Sequence, residues 1–339
     1  MRTGAVLAAL LAAAALTPLG LDADGYALRV LTTALLFAAA AQAWNIVGGL
    51  ANRLSLGHAA FFGIGAYCST LLLVRFGLSP WIGMLASAAL GAGAALLIGL
   101  PTLRLQGHYF ALATLAFGEV MRVLANTWTG LTGGPVGLSV PFGPDSLALL
   151  RFKSTPPYYW AALGLLALCT AAFLGVRHSA LGYRLMAVRE DEAAARAIGV
   201  DATRAKLLAA TLSGALTAMV GTLYAQFSYF FDPDTVFGIT PVSVRIALIC
   251  IVGGIGSPFG PILGALFVIP MEEAANVLFG DHAAGLAPLS YAVVLIAVVV
   301  TEPRGLLRLM GSVLRPVMNR VRAPAAAVRP MAPRPGAGP

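Results

Sequence analysis

The sequence predicts an all-α, polytopic integral membrane helical bundle. Three observations predict it: long stretches without a charge, basic residues confined to the gaps between them, and a glycine–proline break inside one of the longest stretches. Only 11% of the 339 residues are charged and 59% are hydrophobic, whereas a soluble chain carries roughly 25% charged residues. Runs free of Asp, Glu, Lys and Arg cover Thr3–Leu21, Val30–Asn52, Leu54–Val74, Phe76–Leu103, Ser154–Val176, Leu207–Phe231, Ile246–Met271 and His282–Thr301. Each is close to or longer than the roughly 20 apolar residues that carry a helix across hydrocarbon. A buried soluble helix accounts for one such run and not for eight. Backbone amides in lipid must be bonded within their own segment, and barrel strands would alternate in polarity, so helices remain.

At the N-terminus, Arg2 and a short apolar region fit either a signal peptide or a first span. No clean A-x-A cleavage site precedes Leu21–Asp24, so a retained span near 4–20 is expected. Further spans are expected near 28–50, 57–74, 81–101, 109–127, 158–176 and 207–229. Small residues at Gly83, Ser87, Gly91, Ala95 and Gly99 form one smooth face on the fourth span, which predicts tight packing within the chain or against a partner.

Charge sets the orientation. Arg177, Arg184, Arg189, Arg196, Arg204 and Lys206 form the densest basic block, and Arg304, Arg308, Arg315, Arg320, Arg322, Arg329 and Arg334 follow the last apolar run. Both regions are expected in the cytoplasm, and the acidic connections with Asp22/Asp24, Asp232/Asp234 and Glu272/Glu273/Asp281 outside. With the last span near 286–301 ending inside, parity requires 242–277 to cross twice or to fold back as a re-entrant pair. Gly253-Gly254-Ile255-Gly256-Ser257-Pro258-Phe259-Gly260-Pro261 cannot continue a regular helix and supplies a hinge at the right place. The count reaches about ten membrane-embedded segments with both termini cytoplasmic. A transmembrane domain over 1–310 is followed by a basic Pro/Ala/Arg tail, 311–339, expected to be disordered near anionic headgroups.

The net charge of +8 is spread between apolar runs and not along a stripe, which argues for topology and against nucleic acid. Cys68, Cys169 and Cys250 lie separately inside apolar runs, without disulfide or metal spacing. His58, His108, His178 and His282 are far apart, and no GxxxxGK[ST], GxGxxG, HExxH or GxSxG pattern occurs. No catalytic residue, metal site or cofactor is expected, and the chain has no means of its own to cradle nucleotide phosphates.

Two sets of polar residues remain. Between the sixth and seventh spans, Arg184–Ala187–Val188 and Leu185–Met186–Arg189 suggest a juxtamembrane helix. The acidic Glu190, Asp191 and Glu192 then open a short Ala-rich helix through Ala193 and Ala194, suited to the helix dipole, with Gly199 placed to end it. From the residues alone this stretch reads equally as a rigid element that docks in a partner's groove and as a solvated loop that fixes topology. In the membrane, Glu119 and Arg122 lie three apart on one helix face, either lining a pathway or, as their spacing favours, forming a local pair. Asn45, His58 and Asn126 are expected to make interhelical hydrogen bonds, and Arg245 to pair with Asp232 or Asp234 at the outer face.

Several segments resemble a known family. They are Trp44–Leu50, Leu54–Tyr67, Thr114–Arg122, Leu131–Leu138, the 182–200 loop and Val252–Ser257, in that order. Over about residues 28–305 the chain resembles the LivM-type inner-membrane permease subunits of bacterial ABC importers for branched-chain amino acids. The resemblance implies a multi-pass protein of the bacterial inner membrane that forms the translocation path with a second permease subunit. It further implies two cytoplasmic ATP-binding subunits, which hydrolyse the ATP, and a periplasmic solute-binding protein. The loop then looks like the coupling element of ABC permeases, patterned Glu-Ala-Ala, three residues, Gly. Strict spacing from Gly199 puts Ala193 in the Glu position, with Glu192 one residue early. Related permeases for urea or short amides share these motifs. An ion-coupled secondary transporter would show matching helix breaks in both halves, and only one convincing break is present. A membrane enzyme is disfavoured by the missing catalytic clusters.

Overall fold

The computed structural model describes residue 9, residues 11–23, 25–102, 105 and 108–279, and scattered positions from 286 to 306. Most of the expected spans near 286–301, the tail 311–339, and the start of the span near 4–20 lie outside the described residues.

Ten helices carry the architecture: α1 (Tyr26–Gly48), α2 (His58–Phe76), α3 (Pro80–Thr102), α4 (His108–Thr127), α5 (Pro156–Arg177), α6 (Ala180–Glu190), α7 (Glu192–Ala197), α8 (Ala202–Ser228), α9 (Arg245–Gly253) and α10 (Gly260–Phe279). Among the described residues seven segments are long and apolar enough to cross a membrane: α1, α2, α3, α5, α8, Pro233–Gly253 and α10. The chain is a multi-pass membrane protein. Strand pairing among the described residues is limited to a two-residue antiparallel patch, Leu138–Ser139 against Phe230–Phe231, and an isolated bridge between Ser146 and Arg151.

Helix α1 runs through the middle, packed against α5, α8, α9 and α10, and from Ala34 to Leu50 every residue is buried. Burial on all sides explains why its apolar residues show no preferred face. Helix α8 is the second hub and packs against α1, α2 and α3. It starts five residues before the charge-free run because Asp201 caps it, accepting from Arg204 N at 2.9 Å. The small-residue face of α3 is what meets α8 and α2: Gly83, Ser87, Gly91, Ala95 and Gly99 are all buried. A Cβ on Gly91 would lie 2.7 Å from both Ala218 Cβ and the Gly214 carbonyl oxygen, so backbones touch here. Lipid tails are as apolar as side chains, and this close van der Waals approach, with hydrogen bonds such as Ser87 Oγ to Gly65 O, is what holds such helices together.

Both limbs of 242–277 have span character, and they form an antiparallel pair. Gly253 meets Gly260, and Ile249 meets Gly264, at distances that would put a Cβ within 2 Å of a carbonyl oxygen. Gly254 (φ +123°) and Gly256 (φ +76°) turn the chain between them, a conformation that glycine alone adopts readily. The turn sits at the end of the molecule that carries the basic loop: Arg177 donates to Gly256 O at 2.9 Å. The acidic connections gather at the opposite end. There Arg245 pairs with Glu272 and Tyr26 donates to Glu273 at 2.7 Å. This corrects the expected pairing of Arg245 with Asp232 or Asp234. Arg245 lies near the start of its limb and Glu272 well along the returning one, and the antiparallel register brings them level; Asp234 is taken by Arg122.

Replacing Gly91 with Leu is expected to cost about 1–3 kcal/mol through overpacking, seen as a lowered melting temperature of the detergent-solubilised protein. Gly93→Leu on the same helix, where the added side chain meets open space, is expected to leave it unchanged.

Candidate functional site

The loop between α5 and α8 folds into α6 and α7. Ser179 caps α6, accepting from Gly182 N, and Asp191 caps α7 by accepting from Ala193 N at 2.8 Å and Ala194 N at 3.0 Å. Gly199, at φ +88°, ends the element. The helix-opening acid and the terminating glycine therefore sit where their spacing put them. A small apolar core of Val188, Ala195 and Ala202 seats α7 against α6 and α8. Its outer side remains open: Ile198 is 79% exposed, and Glu190, Asp191, Ala193, Ala194 and Gly199 are exposed with it.

Two members of the set turn inward. Arg189 donates to Gly49 O at 2.8 Å, capping the end of α1. Glu192 lies among three cations: Arg53 Nη2 at 2.7 Å, Lys206 Nζ at 2.6 Å and Arg196 Nη2 at 2.9 Å. The Lys206 contact is an ion pair without well-aligned hydrogen-bond geometry. The Lys206 and Arg53 side chains are only 2% and 13% exposed. Burial pushes the Glu192 carboxyl up, but the Lys206 ammonium and the charges of Arg53 and Arg196 outweigh it and hold it below its ordinary value. Arg53, Arg177 and Lys206 were missed as partners from sequence. The one available signal was Lys206 itself, one of two lysines in the chain, set a turn inside a span just after an acidic loop. A cleft of ≈ 640 Å³ opens beside α7, lined in part by Asn52, Arg53, His108, Arg189 and Asp191.

The membrane candidates separate into two kinds. Asn45 and His58 are buried and bonded inside the bundle. Asn45 accepts from Gly256 N at 2.8 Å and donates to Ser257 O at 2.9 Å, tying α1 to the glycine turn. Ser213 Oγ donates to Ala43 O at 2.7 Å, so it accepts from His58 Nε2 at 2.8 Å, and His58 Nδ1 then accepts from Ser55 Oγ at 3.1 Å. That network assigns the tautomer and joins α2, α8 and α1. Glu119 and Arg122 form the local pair their spacing suggested, with Arg122 Nε 3.1 Å from both carboxylate oxygens, but they lie on a surface. Helix α4 buries only Phe110, Ala111, Thr114, Gly118 and Ala125, and its other side presents Glu119 and Arg122 at 40% and 30% exposure. Arg122 also pairs with Asp234, to which Asn126 donates at 3.2 Å.

The profile of a family described as branched-chain amino acid transport system / permease component matches residues 26–301. The chain belongs to that family. It is 34% identical over 251 residues to the high-affinity branched-chain amino acid transport system permease protein LivM of Salmonella typhimurium. To LivM of Escherichia coli it is 35% identical over 251 residues; each alignment covers 68% of this chain and 59% of the relative. The chain thus spans under two thirds of the length of these relatives. The autoinducer 2 import system permease protein LsrC of Klebsiella pneumoniae is 32% identical over 220 residues, 61% of this chain and 58% of the relative. A solved metal-chelate type ABC transporter in an inward-facing conformation aligns at 18% identity with TM-score 0.47, covering 86% of this chain and 97% of that one.

The lowered value of Glu192 fixes a pH dependence. A carboxylate whose folded pKa lies below its unfolded value, about 4.3, stabilises fully above that value and loses its contribution as the pH falls through the folded one. The melting temperature of wild type is therefore expected to exceed that of Glu192→Gln at neutral pH and to converge with it in acid.

Proposed function

We propose that the chain is the membrane-spanning permease subunit of an ATP-driven importer for branched-chain or other apolar amino acids in a bacterial inner membrane. It forms the translocation path with a second permease subunit, fed by a periplasmic solute-binding protein and driven by two cytoplasmic ATP-binding subunits that carry out the hydrolysis. One observation carries this reading: α7, a short capped helix with an exposed outer side, is seated between two spans at the basic end, which the charge distribution places in the cytoplasm. Such an element seats in a partner's groove and passes on its displacement. The exposed Glu190, Asp191, Ala193, Ala194 and Gly199 give the docking side, and the adjacent cleft gives room for a partner.

The face of α4 supports the second permease. Ionisable groups at membrane depth face protein or water and not lipid, so the Glu119–Arg122 side of α4 belongs against the partner permease or along the path between them. The glycine turn at 253–260, bonded to Asn45 and Arg177, is then a hinge through which the coupling region reaches α9 and α10. Adding α4 and the spans near 4–20 and 286–301 to the seven apolar segments gives about ten embedded segments with both termini cytoplasmic. This count is supported by the basic loop and the acidic connections lying at opposite ends.

Shortening 189–200 is expected to abolish solute uptake while leaving membrane insertion intact; ATP-dependent uptake that persists at the normal rate would exclude the coupling role. Uptake in cells expressing the full system is expected to stop on ATP depletion and to survive collapse of the ion gradients. The reverse pattern would favour an ion-coupled transporter, and uptake of urea or short amides in place of amino acids would change the substrate alone.

A further inference from the structure

We propose that Glu192 is a positioning residue, the internal pivot by which the coupling helix grips the permease, and not a contact to the ATPase. This deepens the reading of α7 as the docking element and depends on it only for the transport part of the test. The carboxylate joins three parts of the chain that are otherwise separate. It belongs to α7, it meets Lys206 at the base of α8, and it meets Arg53 in the connection between α1 and α2. Arg53 in turn donates to Leu105 O at 3.1 Å, just before α4. Helix α8 is packed against α1, α2 and α3, so a push on α7 delivered through Glu192 reaches the hub of the bundle directly.

The chemistry makes this joint stiff. Two cations with almost no access to water face one carboxylate, and a buried ion set is costly to break from one side because the remaining like charges are left uncompensated. Arg196, more than half exposed, completes the set from α7 itself, so both Glu192 carboxylate oxygens are engaged by cations of this chain while a quarter of the side chain faces the adjacent cleft. Two further links run parallel to the pivot at the same end, Arg189 to Gly49 O and Arg177 to Gly256 O. Both use carbonyl acceptors and carry no counter-charge, so Glu192 alone provides an ionic lock between α7 and the spans among the described residues.

The test has two arms. In the purified full chain in lipid nanodiscs, Glu192→Gln is expected to speed amide hydrogen exchange across 192–199 by about tenfold or more, with α8 beyond its first two turns unchanged and Glu192→Asp largely restoring protection. Unchanged exchange in Glu192→Gln would overturn the proposal whether or not the chain binds an ATPase. In proteoliposomes with its ATPase and binding-protein partners, Glu192→Gln is expected to keep the ATPase bound while the solute moved per ATP hydrolysed falls. Loss of ATPase binding itself would make Glu192 a docking contact and also overturn it. Should Glu192→Gln fail to insert, Lys206→Met poses the same question from the other side, with a smaller gain in exchange because Arg53 still holds the carboxylate; no gain would count against the pivot. A wild-type chain that recruits no ATPase would end the coupling reading and leave the exchange arm standing.

Discussion

Hydrocarbon offers no water to a stranded polar group, and much of this chain follows from how its polar atoms are kept out of that layer or bonded within it. Gln42 and Gln226 stand apart, with both amide atoms buried and without a hydrogen-bond partner. Backbone amides are closed inside helices. His58, Ser213 and Thr222 find partners on neighbouring helices, and Asn45 finds its partners in the glycine turn. The charged side chains at the two ends are arranged in pairs and clusters. With no hydrophobic force to draw helices together in lipid, cohesion comes from backbone approach, and the glycine-lined contact of α3 with α8 allows it.

The two ends differ in design. The acidic end is held by paired contacts, Arg245 with Glu272, Tyr26 with Glu273, and Arg122 with Asp234. The basic end is a network: Glu192 gathers Arg53, Lys206 and Arg196, while Arg189 and Arg177 bond the end of α1 and the glycine turn. Within the α6–α7 element, Arg189 and Glu192 bond to the body of the protein while Ile198 and Gly199 are exposed.

Helix α4 departs from the rest. It buries only a narrow stripe and carries its ion pair on a surface, where Arg122 also meets Asp234 of the acidic end. The glycine turn, by contrast, is fully engaged: its backbone accepts from Asn45 and Arg177 and donates to Asn45, which links the α9–α10 pair to the central helix.

The sequence by itself determined what depends on local order. The apolar spans that the described residues contain, the small-residue face of α3, the break at 253–260, the Asp191 cap and the Glu119–Arg122 pair all follow from hydropathy, helical period or backbone geometry within a few residues. The expected spans near 28–50, 57–74 and 81–101 fall within a few residues of α1, α2 and α3 for that reason. Only the tertiary structure decided which distant charges meet. Arg53 and Glu192 are separated by 139 residues and Arg122 and Asp234 by 112, and no periodicity encodes such pairs. Arg245 shows the consequence: proximity in sequence favoured Asp232 or Asp234, while the antiparallel return of α10 supplied Glu272. Glu192 was legible as the acid that opens a short helix, but its contacts with Lys206 and Arg53 appeared only when α8 and the α1–α2 connection closed around it.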